Sequence, residues 1–355
     1  MKVLQVIDQL NVGGAERVLV DLANILCSKG LEVHVLTLVR PGPLADQLSE
    51  EIKLINLERR RKLSVIKLWR VNRICQRYDV VHAHLRYNFR YLAFARLLLG
   101  GKYSLILHDH SGAVDRVPFL LAFFARRNRW FIGVSRRQVE WAITRLGVQS
   151  SDSLCLSNIV IRHCRQKAVV RSRIHRLRIL HVSNFREVKN HAFAIALISD
   201  LRQYLDLEVC FVGQVVEEEV FRAITDRINQ SGIGNMVTML HNCTDVQALM
   251  QDFDIGLHTS YRESGPLAIA EYLAQKLPFV SYKTGEISCQ VYSKLPEFFL
   301  ESFDMQAWIE RILEIVSRRE DFMGRMDGVF ESLFSPNQYF ESCVEFYRRI
   351  GQKSK

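Results

Sequence analysis

No apolar run in this chain of 355 residues approaches the roughly 18 to 20 residues that a membrane-spanning helix needs. The longest, around Phe119 to Ala125, is far too short. Cysteine is sparse, and its eight occurrences (Cys27, Cys75, Cys155, Cys164, Cys210, Cys243, Cys289 and Cys343) stand singly, without the close spacing of zinc ribbons or redox motifs. That pattern argues against a disulfide framework and points to a reducing cytoplasm. The start, Met1 to Asp8, has too short an apolar run for a signal peptide and reads as a first strand. There is no repeat of solenoid length and no low-complexity tract, and the G-x-G-x-x-G fingerprint of dinucleotide binding is missing.

What is present is an ordinary globular composition, 48% hydrophobic and 24% charged, in a chain about twice the usual length of one domain. The formal net charge of +10 is unevenly placed. Residues 1–172 carry 28 Lys+Arg against 13 Asp+Glu, and residues 173–355 carry 20 against 25. One half is thus suited to an anionic partner, a phosphate-bearing membrane surface or nucleic acid, although a solvated basic face would look the same.

Short β-rich runs alternate with amphipathic segments, the pattern of doubly wound α/β domains with parallel sheets. Strands are expected at Val3–Ile7, Val33–Leu38, Ile52–Leu57, Val80–His82, Leu105–Leu107 and Phe131–Val134. A second series follows at Ile179–Val182, Val209–Val212, Val237–Leu240, Ile255–His258 and Phe279–Ser281. The rhythm fails between Asp152 and Arg176, a basic stretch that reads as a linker. The expected division is 1–172 and 173–335, with an amphipathic helix in 336–355 that could cross back to the first domain.

Parallel sheets bind ligands at the carboxyl ends of their strands, so the loops there carry the functional reading. After the first strand, Gly13-Gly14 open a helix whose free N–H groups suit a phosphate. After the Leu105–Leu107 strand come His108-Asp109-His110, beside His82 and His84 at the end of the preceding strand. Such histidines could line a cleft and polarise hydroxyls. A zinc site is the rival reading, with a spacing that suits no common structural zinc site. In the second half, Arg186 and Lys189 follow a strand at the start of a helix, an arrangement fit for a diphosphate. After Ile255–His258 runs Glu263-Ser264-Gly265-Pro266-Leu267, with Glu271 further along the helix that Pro266 opens. Eight helical residues would separate Glu263 and Glu271 by about 12 Å, too far to share one proton or one metal. They would contact different parts of an extended ligand.

Glu-x7-Glu in this strand-loop-helix setting, with the Arg186/Lys189 loop and Gly-Gly-Ala-Glu-Arg near the start, resembles glycosyltransferase family 4. The likeness extends over the whole chain, including Asp79-Val80-Val81-His82-Ala83-His84. It implies the GT-B fold, two Rossmann-like doubly wound parallel-sheet domains facing across a cleft, the first on the acceptor side and the second binding a nucleotide sugar. It also implies retaining, metal-independent transfer. Glu271 would bind the ribose and Glu263 the sugar hydroxyls, while Arg186 and Lys189 neutralise the leaving diphosphate. Gly13 and Gly14 would close over it, and His108 would lie near the transferred sugar, with His84 and His110 as further cleft residues. Ser264, Gly265, Pro266 and Leu267 complete the donor loop.

The implied partners are a nucleotide-diphosphate sugar and a lipid-linked or polysaccharide acceptor, with no cofactor, no metal and no nucleic acid. Asp252-Phe253-Asp254 spells a metal-binding D-x-D, but it precedes a strand, away from the ligand loops. Two basic amphipathic segments could lie on anionic lipid: Arg59 to Arg77, with Leu63, Ile66, Trp69 and Ile74 as its apolar face, and Arg116 to Trp130. The expected location is the cytoplasm, peripherally at the inner face of the membrane. The rival functions are a nucleotide-sugar epimerase on the same fold and a nonenzymatic sugar-nucleotide or nucleic-acid binding module.

Overall fold

The computed structural model describes residues 1–61, 64–111, 114, 117–163, 176–241 and 243–353. The chain divides into two units, Met1–Ile159 with Pro336–Lys355, and Val160–Ser335. The boundary expected at 172/173, and the linker residues Arg165, Lys167, Arg171 and Arg173, lie outside the described residues. Val160 already packs into the second unit's core, which puts the division upstream.

Unit 1 holds a seven-stranded parallel sheet: β1 (Lys2–Ile7), β2 (Glu32–Thr37), β3 (Lys53–Asn56), β4 (Val80–His84), β5 (Ser104–Asp109), β6 (Trp130–Gly133) and β7 (Ser153–Cys155). Their spatial order is β3-β2-β1-β4-β5-β6-β7. Helices α1 (Gly14–Ser28), α2 (Val65–Cys75), α3 (Arg86–Leu99), α4 (Phe119–Asn128) and α5 (Arg136–Trp141) connect them. The order reverses between β1 and β4, which opens a crevice at their carboxyl ends. The irregular stretch expected from Asp152 instead begins with β7, which pairs with β6. Three residues were too few to give a periodicity. β4 and β5 both run further than expected, so His84 and His108 sit inside strand ends and face each other in register.

The apolar residues of α2 divide between core and solvent. Leu68, Val71 and Cys75 are buried, while Ile66 and Trp69 are 75% and 52% exposed and Ile74 is intermediate. The helix opens at Val65 on the Ser64 cap, and that start turns Ile66 and Trp69 outward. Leu63 and Arg116, at the edges of the two basic segments, lie outside the described residues.

Unit 2 has a six-stranded parallel sheet in the order β10-β9-β8-β11-β12-β13. Its strands are β8 (Leu177–Val182), β9 (Leu207–Val212), β10 (Val237–Leu240), β11 (Ile255–His258), β12 (Phe279–Tyr282) and β13 (Phe299–Leu300). The helices are α6 (His191–Leu201), α7 (Glu218–Gln230), α8 (Val246–Met250), α9 (Leu267–Ala274), α10 (Glu286–Tyr292), α11 (Met305–Ser317) and α12 (Arg319–Leu333). The switch point here lies between β8 and β11. Tyr272 fastens α9 above it: the fully buried ring sends its hydroxyl to the Leu257 and Leu180 carbonyls at 3.1 and 3.2 Å. Gly256 makes the room, since a Cβ there would stand 2.7 Å from the ring.

Helix α13 (Pro336–Lys353) returns to unit 1. Its buried stripe of Tyr339, Cys343, Phe346, Tyr347 and Ile350 follows the helical period, and the helix packs against α1. No helix among the described residues is long and apolar enough to cross a membrane.

Candidate functional site

In unit 2 the loops after β8 and β11 meet. Thr259 ties them, its hydroxyl reaching the Lys189 and Asn190 carbonyls at 3.0 and 3.2 Å and standing 2.9 Å from His181 Nε2. Asn190, at φ 54°, ends the short turn that carries Lys189 and starts α6. The turn delivers the Lys189 ammonium onto the Glu263 carboxylate, and His258 Nε2 lies 3.5 Å from the same oxygen. Burial alone would raise the Glu263 carboxyl, but the Lys189 charge and the His258 imidazole bring it down to about 2. Glu263 is therefore a fixed anion at neutral pH.

The Glu263 loop is held from a third side. Its backbone N–H donates to Thr284 Oγ1 at 3.2 Å, and the Ser264 carbonyl accepts from the Glu286 N–H at 2.8 Å. Gly285 stands between at φ 85°, where a Cβ would meet Pro266 Cδ at 2.8 Å and Glu263 Cβ at 3.1 Å. Pro266 then caps α9, with Gly265 before it and Leu267 as the first helical residue. Glu271 is half-buried in the second turn. Arg186 does not join Glu263. It pairs with Glu217 at 3.3 Å on the surface.

Asp254 of the D-x-D lies at the amino end of β11 and accepts from Arg319 at 2.8 Å and from the Arg178 N–H at 3.0 Å. Its oxygens thus serve the sheet edge. His258, Thr284 and Gly285 are the residues that sequence reasoning missed. Thr284 and Gly285 follow β12 as Glu263 follows β11, and His258 ends a strand whose sequence signal is its apolar residues.

In unit 1 the alternation of β4 and β5 places His82, His84, His108 and His110 on one face of the sheet. Neighbouring rings lie 4.1 to 5.1 Å apart. Gln5 on β1 stands opposite His82, and Tyr347 of α13 closes the far side. His82, His84 and His108 are fully buried. Burial, with the neighbouring imidazoles, pushes His82 down to about 3 and His84 and His108 well below the usual range. Burial takes His110 to about 3, against a hydrogen bond to Asn158 that raises it. The array is neutral. Three of its rings bring nitrogens within 4.8 Å of one another, a spacing a cation could use. They already hydrogen-bond to one another and to Gln5 and Tyr347.

Around the array, Asp109 is buried and receives Arg86 at 2.6 and 2.9 Å. Leu85, directly after His84, holds φ 71° and donates to the His108 carbonyl at 3.0 Å. Gly13 caps α1 and Gly14 opens it, so both stand at the carboxyl end of β1. The Glu16 carboxyl folds back toward Gly13, and burial raises it to about 7.

Comparison with known proteins gives a consistent picture. Residues 12–162 match the family described as Glycosyltransferase Family 4, and residues 165–325 match Glycosyl transferases group 1. No curated protein sequence matches. Among solved structures, HepE of Anabaena in complex with UDP and glucose superposes with a TM-score of 0.82 at 17% identity, over 97% of this chain and 98% of that one. A glycosyltransferase of Rickettsia africae gives 0.77 at 16% identity, over 98% of both chains. The lipopolysaccharide outer core galactosyltransferase WaaB in its apo form gives 0.65 at 14%, over 98% and 99%. At these identities the likeness establishes the fold.

Proposed function

Since the chain belongs to the GT-B glycosyltransferases, its first half of the Family 4 type and its second of the group 1 type, we propose that it moves a sugar from a nucleotide-diphosphate donor to a hydroxyl of a lipid-linked or polysaccharide acceptor. The observation that carries this reading is the Lys189–Glu263–His258 cluster at the carboxyl end of β11. A carboxylate held ionised is a strong acceptor for two sugar hydroxyls. The amino end of α9, with Ser264, Gly265 and Leu267, offers backbone N–H groups to a phosphate, and Glu271 one turn in is placed for a ribose. Charge on the leaving diphosphate is offset by Lys189 and that helix end. Arg186 joins once it exchanges Glu217 for phosphate, a small cost for an exposed pair. No step of this scheme draws on a metal. In unit 1, the start of α1 at Gly13 and Gly14 suits a phosphate, and His108, with His84 and His110 beside it, suits a sugar hydroxyl.

UDP-sugar titration tests the donor site. Glu271→Ala is expected to weaken donor binding about 10- to 100-fold, the worth of one lost charge-assisted hydrogen-bond pair. Unchanged affinity would remove Glu271 from the site. Epimerised nucleotide sugar appearing without acceptor would favour the rival enzyme.

The exposed side of unit 1 favours a membrane partner. Val65, Ile66 and Trp69 on α2, and Phe119, Leu120 and Phe123 on α4, project among Arg70, Arg73, Arg126 and Arg127. Beside α2 lies a pocket of about 580 Å³ lined by Lys2, Lys53, Arg70, Arg73 and Arg77 with a single carboxylate, Glu32. Aromatic and aliphatic side chains set among cations suit an anionic bilayer surface, so the protein would work at the inner face of the cytoplasmic membrane. Vesicle flotation is the check: binding to anionic vesicles that falls with salt and with Trp69→Ala/Ile66→Ala is expected, and equal recovery with neutral vesicles contradicts it.

A further inference from the structure

We infer that Gln5 and Tyr347 fix the tautomers of the four-histidine array, so that His108 presents an N–H donor at Nε2 and does not serve there as a base. The proton positions follow from one amide. Gln5, fully buried on β1, donates through Nε2 to Tyr347 Oη at 3.2 Å. The Tyr347 proton then goes to His82 Nδ1, 2.6 Å away, a stronger acceptor than the Cys343 thiol that also hydrogen-bonds to this hydroxyl. A neutral imidazole has one N–H, so that of His82 is on Nε2, and it points at His108 Nδ1 at 3.0 Å. By the same rule the proton of His108 is on Nε2. That nitrogen is buried and has no hydrogen-bond partner among the described residues.

The other end of the Gln5 amide orders the second branch. Its Oε1 accepts from His84 Nε2 at 2.8 Å, which leaves His84 Nδ1 to accept from His110 Nε2 at 2.9 Å. Both branches thus run outward from Gln5, and all four rings carry Nε2–H. Placing the amide the other way round would reverse every bond and turn His108 Nε2 into a lone pair. Gln5 and Tyr347 are positioning residues, acting through His82. An N–H with no acceptor among the described residues, at the carboxyl end of β5, suits a ligand oxygen; that the oxygen belongs to a sugar rests on the glycosyltransferase reading, while the tautomers do not.

Nitrogen NMR of the full chain labelled at histidine reads each tautomer directly, without substrate. At pH 7.5 the expected spectrum has His82, His84, His108 and His110 all as Nε2–H, with no imidazolium. Tyr347→Phe removes the proton held against His82 and is expected to give mixed tautomers at His82 and His108 only. Gln5→Met removes both the acceptor of His84 and the donor to Tyr347, and is expected to release all four rings. A wild-type His108 protonated at Nδ1, or a Tyr347→Phe variant that loosens all four rings alike, overturns the inference. Because the spectrum is recorded on the free chain, its failure leaves the transferase reading untouched, and a chain that transfers no sugar leaves the tautomers standing.

Discussion

Lys189→Ala is expected to lower kcat/KM for sugar transfer by about 10²- to 10³-fold, the range seen when one group that stabilises developing charge is removed. Two losses combine in that figure. The leaving diphosphate loses a cation, and Glu263 loses the partner that keeps it ionised, so its carboxyl rises from about 2. Pairing the substitution with Glu263→Gln separates them. If the unpaired carboxylate accounts for most of the loss, the double variant is less impaired than the two single losses predict. A loss below fivefold in Lys189→Ala would take the cluster out of the donor site. The same variant is expected to lower stability by about 3 kcal/mol, because a mostly buried carboxylate is left alone. Below about pH 4.5 the difference shrinks, since the unfolded carboxyl takes up its proton there and the native ion pair gives up its advantage as pH falls toward 2.

Acid should unfold this protein early. His82, His110 and His191 titrate near 3 in the folded chain, and His84, His108 and His181 lie well below the usual range, all chiefly because burial disfavours the cation. The unfolded chain binds those protons near pH 6.5, and the native state refuses them. Stability is thus full above about 6.5 and falls as pH drops below it. Each such histidine contributes a slope of about 1.4 kcal/mol per pH unit. The four in unit 1 together reach on the order of 5 kcal/mol per unit once well below 6.5, comparable to the whole stability of a small domain. Calorimetry between pH 7.5 and 5.5 should show the transition of unit 1 falling by about 10–20 °C, with a smaller shift for unit 2. A Tm for unit 1 that is constant down to pH 5 would mean that the array is charged or open to water.

The parts of the site that could be read in the sequence are those built from neighbours along the chain. Glu263 to Glu271 is one loop and the start of one helix, and its apolar residues repeat at the helical period. The strands could be read because β-branched runs four to six residues long recur between amphipathic segments, whereas β7 and β13, with three and two residues, had no period to find. Arg186 was read correctly as a loop cation but not as a partner of Glu217, since no local rule joins residues on different loops. The Gln5–Tyr347–His82 contact brings together a strand at one end of the sequence and a helix at the other. Only the fold reveals it. Ile66 and Trp69 are legible as members of one apolar stripe, but period fixes only the spacing of a stripe and leaves its direction to packing.

The return of α13 to unit 1 has a consequence for biosynthesis. Residues 336–353 leave the ribosome only after all of unit 2 has been made, so the seven-stranded sheet emerges early with the Gln5 face of its histidine array still uncovered. Until Tyr347 arrives, His82 and Gln5 lack the hydroxyl that the finished protein sets against them. A nascent chain stopped short of Tyr347 therefore carries a complete second unit and an unfinished first one, and quality-control proteases would meet the defect at the end of the protein that was translated first.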